Sequence, residues 1–114
     1  MLEEFSFWLK GIIEDTPIPP EICNLYFSLH KLNNYIFISF GGNQFEQKIC
    51  LNFEFYPLEA QFFDVFKFNK NFSLLNLRNL IEKILNQPFF QNIFNGKNIF
   101  ISYFGEKPHF KIEK

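Results

Sequence analysis

Arginine is almost missing from this chain. Lys and Arg together number 11, of which only Arg78 is arginine, and 12 Asp and Glu bring the net charge to -1. A nucleic-acid surface needs concentrated positive charge, with Arg as well as Lys. That scarcity sets nucleic acid aside as a partner. Cysteine is sparse too: Cys23 and Cys50, with no CxxC pair. Both fall in predicted strands and read as small buried hydrophobes in a reducing compartment, so no disulfide is expected. His30 and His109 are isolated, with no HxH or HExxH spacing. A metal site needs three or four ligands, so neither metal nor cofactor is expected. No apolar run approaches the ~18 residues of a membrane span. The chain opens on Glu3 and Glu4, not on the basic region and apolar run of a signal peptide. The expectation is a cytoplasmic protein with no membrane contact.

What is abundant is phenylalanine, 19 residues in a chain of 114. Large rings bury much area each, which suits a small core. Phe, Ile, Asn and Lys share AT-rich codons, so genome composition accounts for the Phe count without a functional reason. At this length one domain, residues 1–114, is the expectation.

The chain is organised around residues 35–56, YIFISFGGNQFEQKICLNFEFY. It reads as two strands joined at Gly41-Gly42-Asn43, residues able to take the positive φ of a tight hairpin. On the second strand Ile49, Leu51, Phe53 and Phe55 alternate with Lys48, Cys50, Asn52 and Glu54. That is the period of a strand with one buried side. Before it, Leu2, Phe5, Leu9 and Ile12 recur at helical spacing, and the pattern predicts a helix over 2–13. Pro17, Pro19 and Pro20 then force an extended link. Residues 22–30 predict a first strand, with Cys23, Leu25, Phe27 and Leu29 on one face. Residues 31–34 are a polar turn.

Further on, residues 61–68 predict a fourth strand. Asn71 or Ser73 can cap a helix over 74–86, with Leu74, Leu77, Ile81, Ile84 and Leu85 as its stripe. A short helical turn over 89–95 stops at Gly96. Residues 98–104 and 109–112 are the last two strands. The expected fold class is α+β. It is a two-layer domain with a mostly antiparallel sheet of 5–6 strands, one N-terminal helix, and one helix between strands four and five.

No catalytic constellation emerges. Cys23 and His30 stand seven apart on one predicted strand, an odd separation that puts them on opposite faces. Buried cysteine and surface histidine is the simpler reading. Glu46, Glu54, Glu59 and Asp64 supply carboxylates for acid–base work, but acidic groups on the wet side of strands are ordinary. Gly41-Gly42 lacks the order of a phosphate loop. The rings and lysines of residues 66–72 resemble a stacking platform for single strands, yet core packing suits a slightly acidic chain better.

One stretch, Ile49-Cys50-Leu51-Asn52-Phe53-Glu54-Phe55-Tyr56-Pro57, resembles small bacterial immunity proteins of polymorphic-toxin and contact-dependent inhibition systems. The pieces that match in order are Trp8-Leu9, the link from Pro17 to Pro20, Asn52 to Pro57, the helix from Leu74 to Leu85, and the strand from Ile99 to Gly105. The resemblance implies a non-catalytic protein-binding module whose partner is a cognate toxin domain. The alternative is a small enzyme or enzyme subunit using Cys or carboxylate chemistry. Tyr35, Glu46, Lys48, Asn52 and Glu54, on the polar side of the central stretch, are the expected contact residues. They mix charge, amide and ring as a wet protein interface does.

Overall fold

The computed structural model describes residues 1–32, 35–46, 53–63, 65 and 71–112. Helix α1 spans Leu2–Asp15 and turns Phe5, Leu9, Ile12 and Ile13 inward, with Glu3 and Glu4 in its first turn. Strand β1 (Asn24–Leu32) pairs antiparallel with β2 (Tyr35–Asn43), register Phe27 with Phe40. A two-residue β3 (Gln61–Phe62) edges β2. Helices α2 (Leu74–Ile84) and α3 (Pro88–Ile93) lead to β4 (Asn98–Tyr103) and β5 (Phe110–Ile112). The sheet order is β3-β2-β1-β4-β5.

The architecture is α+β, but the sheet is mixed. Strand β4 runs parallel to β1, with Phe27 opposite Ile101. The expectation of mostly antiparallel neighbours rested on short connections, and the other three pairings are antiparallel. Here two helices intervene before β4, and a long crossover of that kind delivers a parallel neighbour.

The helices cover one sheet face. Leu25, Phe27 and Leu29 of β1, Ile36, Ile38 and Phe40 of β2, and Ile99 and Ile101 of β4 all point into that layer. Phe27 stands at its centre, with ring centroids 5.0 Å from Phe40, 6.3 Å from Phe94 and 6.4 Å from Phe5. Helix α1 docks through Phe5, whose ring meets the Phe62 edge at 5.3 Å. The Trp8 indole packs at 5.6 Å on Phe62 and donates its N–H to the Glu59 carbonyl at 3.2 Å. That bond steadies Glu59, a non-glycine residue at φ 60. Helix α2 starts on a capping box. The Ser73 hydroxyl accepts from the Asn76 amide, and the Asn76 side chain accepts from the Ser73 amide.

Gly41 and Gly42 are not a hairpin turn. They lie inside β2, opposite Tyr26 and Leu25. Their role is close approach. A Cβ on Gly41 would stand 2.7 Å from Phe53 Cγ, and one on Gly42 2.5 Å from Ile22 Cγ2. Phe53 and Phe55 do not share a face. Phe55 is buried in the helix-covered core, whereas Phe53 packs over Tyr26 on the other side. The backbone bends at Glu54, whose N–H is taken by the Asn43 side chain at 2.9 Å, so strand alternation stops there. A bridge from Gly42 to Phe55 holds the segment to the end of β2. Ile49, Cys50 and Leu51 lie outside the described residues, as do Asp64 and residues 66–68 of the predicted fourth strand. Cys23 is exposed rather than buried, because β1 begins one residue later.

Candidate functional site

The sheet face turned away from the helices carries a second set of rings. Each is placed by the period of two: with Leu25, Phe27 and Leu29 facing the helices, Tyr26, Ser28 and His30 face the opposite way. Across the strands these residues fall into three rows. One row is a stack. His30 lies between Phe37 at 4.1 Å and 12° and Phe104 at 4.4 Å and 23°. Phe63 extends it beyond Phe37 at 5.0 Å, and Tyr35 packs beside Phe63 at 5.8 Å. A second row runs Phe100, Tyr26, Phe53, Tyr56, with centroids 5.1, 5.6 and 5.9 Å apart.

Between the two rows runs a polar one. Ser39, Ser28 and Ser102 are cross-strand neighbours on β2, β1 and β4, and Gln61 of β3 lies opposite Ser39. The three serines are buried, and among the described residues the hydroxyls of Ser28 and Ser102 have no hydrogen-bond partner. Ser39 does: its Oγ is 2.8 Å from His30 Nε2. Burial pushes the His30 imidazole down to about 4. His30 is thus a neutral, half-buried ring, not the surface histidine the sequence suggested.

A cavity of about 520 Å³ opens between the rows. His30, Phe37, Phe63 and Phe104 wall one side, Phe53 and Tyr56 the other, with Gln61 between. Gln61 Nε2 and the Tyr56 hydroxyl are 2.6 Å apart. With His30 neutral, none of the described residues lining the cavity carries charge. The His30–Ser39 pair has the spacing of a nucleophile and its base. Its chemistry is weak, though, since an imidazole near 4 is a poor base at neutral pH and Ser39 is only 1% exposed.

The carboxylates and the cysteine are dispersed. Glu54 binds Gln44 with both oxygens, at 3.1 Å to its amide and 3.1 Å to its side chain. Cys23 precedes β1 and His30 lies toward its far end, on the order of 20 Å away along an extended chain. Among the described residues there is no group of three His, Cys, Asp or Glu able to hold a metal ion, and no helix long and apolar enough to cross a membrane.

Of the expected contact residues, Tyr35 and Glu46 are exposed, and Glu54 is exposed but occupied in tying residue 44 to residue 54. Lys48 and Asn52 lie outside the described residues. Tyr35 joins the ring row, away from Glu54 at the other end of β2. The surface therefore separates Tyr35 from Glu54.

What the sequence did not single out is a second exposed apolar zone at the β3 edge. Phe7 on α1 is 83% exposed and Leu58 is 89% exposed. They flank the contact that Trp8 makes with Glu59. A hollow of about 680 Å³ beside them is lined by Glu3, Glu4, Phe7, Trp8 and residues 61–63. The signal was present in α1. Phe7 stands two positions from both Phe5 and Leu9, which places it off the buried stripe. A larger hollow, about 990 Å³, lies between α2, α3 and β5, but its Arg78 is already paired with Glu82 at 2.8 Å.

Compared with known proteins, the chain matches no family model, no curated protein and no solved structure.

Proposed function

We propose that this chain acts by occupying a protein partner, and that the partner is the toxin domain implied by its resemblance to immunity proteins. The observation that carries the reading is the exposed apolar zone at the α1–β3 edge. Phe7 and Leu58 there are almost fully exposed, next to a hollow floored by Trp8 and Phe62. A small monomer gains nothing from exposing such side chains, and rings beside a hollow make good anchors in an interface. Glu3 and Glu4 on the rim favour a partner that brings basic side chains around an apolar knob. Among the described residues the two-residue β3 leaves little edge for pairing by backbone, so side chains would supply the contact. The contact surface in this reading is centred on Phe7 and Leu58 and reaches Tyr35 through Phe63.

The test is survival. Cells expressing the toxin domain encoded beside this chain should live when the chain is co-expressed. Phe7→Ser with Leu58→Ser should abolish protection while leaving the circular dichroism spectrum unchanged. Full protection by the double variant moves the surface elsewhere. No protection by the parent defeats the immunity reading.

A further inference from the structure

We infer that the cavity between the two ring rows is a binding site for a small, neutral, flat aromatic molecule with a hydrogen-bond donor and acceptor side by side on its edge. The inference does not rest on the protein-binding reading, since Phe7 and Leu58 lie outside this cavity. Three observations carry it.

The first is the way the rings are turned. His30 lies nearly parallel to Phe37 and Phe104 at stacking distance, so the faces of this row are spent on one another. The row runs across the strands, so its ring planes stand upright on the sheet and present edges to the cavity. Phe53 and Tyr56 are likewise stacked, at 13°. Ring edges carry the positive end of the aromatic quadrupole. They repel a cation, which would need faces. They attract the face of another ring in edge-to-face geometry. A flat aromatic guest standing between the rows meets edges on both sides.

The second is charge. Among the described residues the lining contains no acid and no base that is ionised at neutral pH, because His30 is held neutral by burial. A charged guest would lose its hydration and find no counter-charge.

The third is the polar pair. Tyr56 and Gln61 bond to each other and, among the described residues, to no other side chain. In either orientation of the Gln61 amide, donors and acceptors are left over side by side. That is the complement of a cyclic amide. The volume, about 520 Å³, falls within the range of small-molecule sites.

The test uses the purified full chain and three related probes: quinolin-2(1H)-one, its N-methyl derivative and the N-methylquinolinium cation. Binding is followed by amide chemical shifts. The neutral lactam should saturate, with shifts centred on residues 30, 37, 61, 63 and 104. Loss of the ring N–H should weaken binding about tenfold, consistent with one hydrogen bond. The cation should bind at least tenfold more weakly than the lactam. Gln61→Leu should bring the lactam and its N-methyl derivative to equal affinity. Phe63→Ser, at an exposed position, should weaken both together. The probe series on the parent protein decides the matter even if a variant misfolds. No saturation by the lactam, shifts centred elsewhere, equal affinity of the two neutral probes for the parent, or tighter binding of the cation would each overturn the inference.

Discussion

Gly41→Ala offers a perturbation whose sign depends on one ring. In the middle of a strand, glycine is the weaker residue, and alanine should favour the extended chain by ~0.5–1 kcal/mol. Here the new Cβ would lie 2.7 Å from Phe53 Cγ, 2.9 Å from Cδ2 and 3.1 Å from Cβ. Two of those atoms, Cβ and Cγ, sit close to the Phe53 backbone, so turning the ring does not clear them. The whole segment must lift. It is held by two Gly42–Phe55 backbone bonds of 2.9 and 3.0 Å and by the Asn43–Glu54 bond. Overpacking of this kind costs about 1–3 kcal/mol. Gly41→Ala should therefore destabilise by that amount in the parent. With Phe53→Ala in place the clash is gone, and the same change should be neutral or stabilising. A double-mutant cycle by urea titration reads the coupling, expected to exceed ~1 kcal/mol. Additive effects would mean that Phe53 does not lie over Gly41, and the ring row containing Phe53 and Tyr56 would be misplaced.

Other outcomes follow from the same packing. Phe27→Ala empties the centre of the helix-covered layer and should cost about 3–5 kcal/mol in denaturant titration; a loss under ~1 kcal/mol would contradict its central place. Ser73→Ala removes one half of the α2 capping box and should cost about 1 kcal/mol, while Ser73→Asp should not. Trp8 is the only tryptophan, and its native emission should lie well to the blue of free indole, because α1 is docked; emission matching indole in water would refute docking. For His30 the folded-state value, about 4, is below the ordinary 6.5. The unfolded chain therefore binds more protons between those values. The His30 contribution is full above pH 6.5, falls as pH drops toward 4, and is flat below. A full conversion would be about 3 kcal/mol, and partial solvation of the ring reduces it to roughly 1–2 kcal/mol. His30→Phe keeps a ring in the stack and should remove that slope; equal slopes in parent and variant would refute a buried neutral imidazole.

Much of the local structure was legible. The 3.6-residue stripe of α1 and α2 and the alternation in β1 are one-dimensional patterns, and each survives folding because each element buries one face. Ser73 marked the start of α2 for a reason of hydrogen bonding and caps it there. Gly96 takes the positive φ expected of it, but α3 already ends at Ile93, so Gly96 belongs to the turn that follows. What failed was reading Gly41-Gly42-Asn43 as a turn. Glycine serves both a positive φ and a close approach, and only the third dimension, where Phe53 lies over Gly41, tells which. Phe53 and Phe55 were misread for a related reason. Alternation assigns faces only while the chain is extended, and a side-chain bond from Asn43 bends it at Glu54. The ring rows were hidden more deeply. His30 and Phe37 come from β1 and β2 and Phe104 from just past the end of β4, and no spacing in the sequence shows that registers and a parallel crossover bring them into one stack. The separation of Tyr35 from Glu54 was hidden for the same cause, since Tyr35 opens β2 and Glu54 lies beside its far end.

The proposal that the chain works by occupying a partner through its α1–β3 edge is tested most directly by amide hydrogen exchange. The purified chain would be compared alone and mixed with the purified toxin domain encoded beside it. Added protection over residues 2–15 and 57–63 is the expected result. Unchanged exchange on mixing, or protection confined to residues 78–98 around the Arg78 hollow, would contradict it.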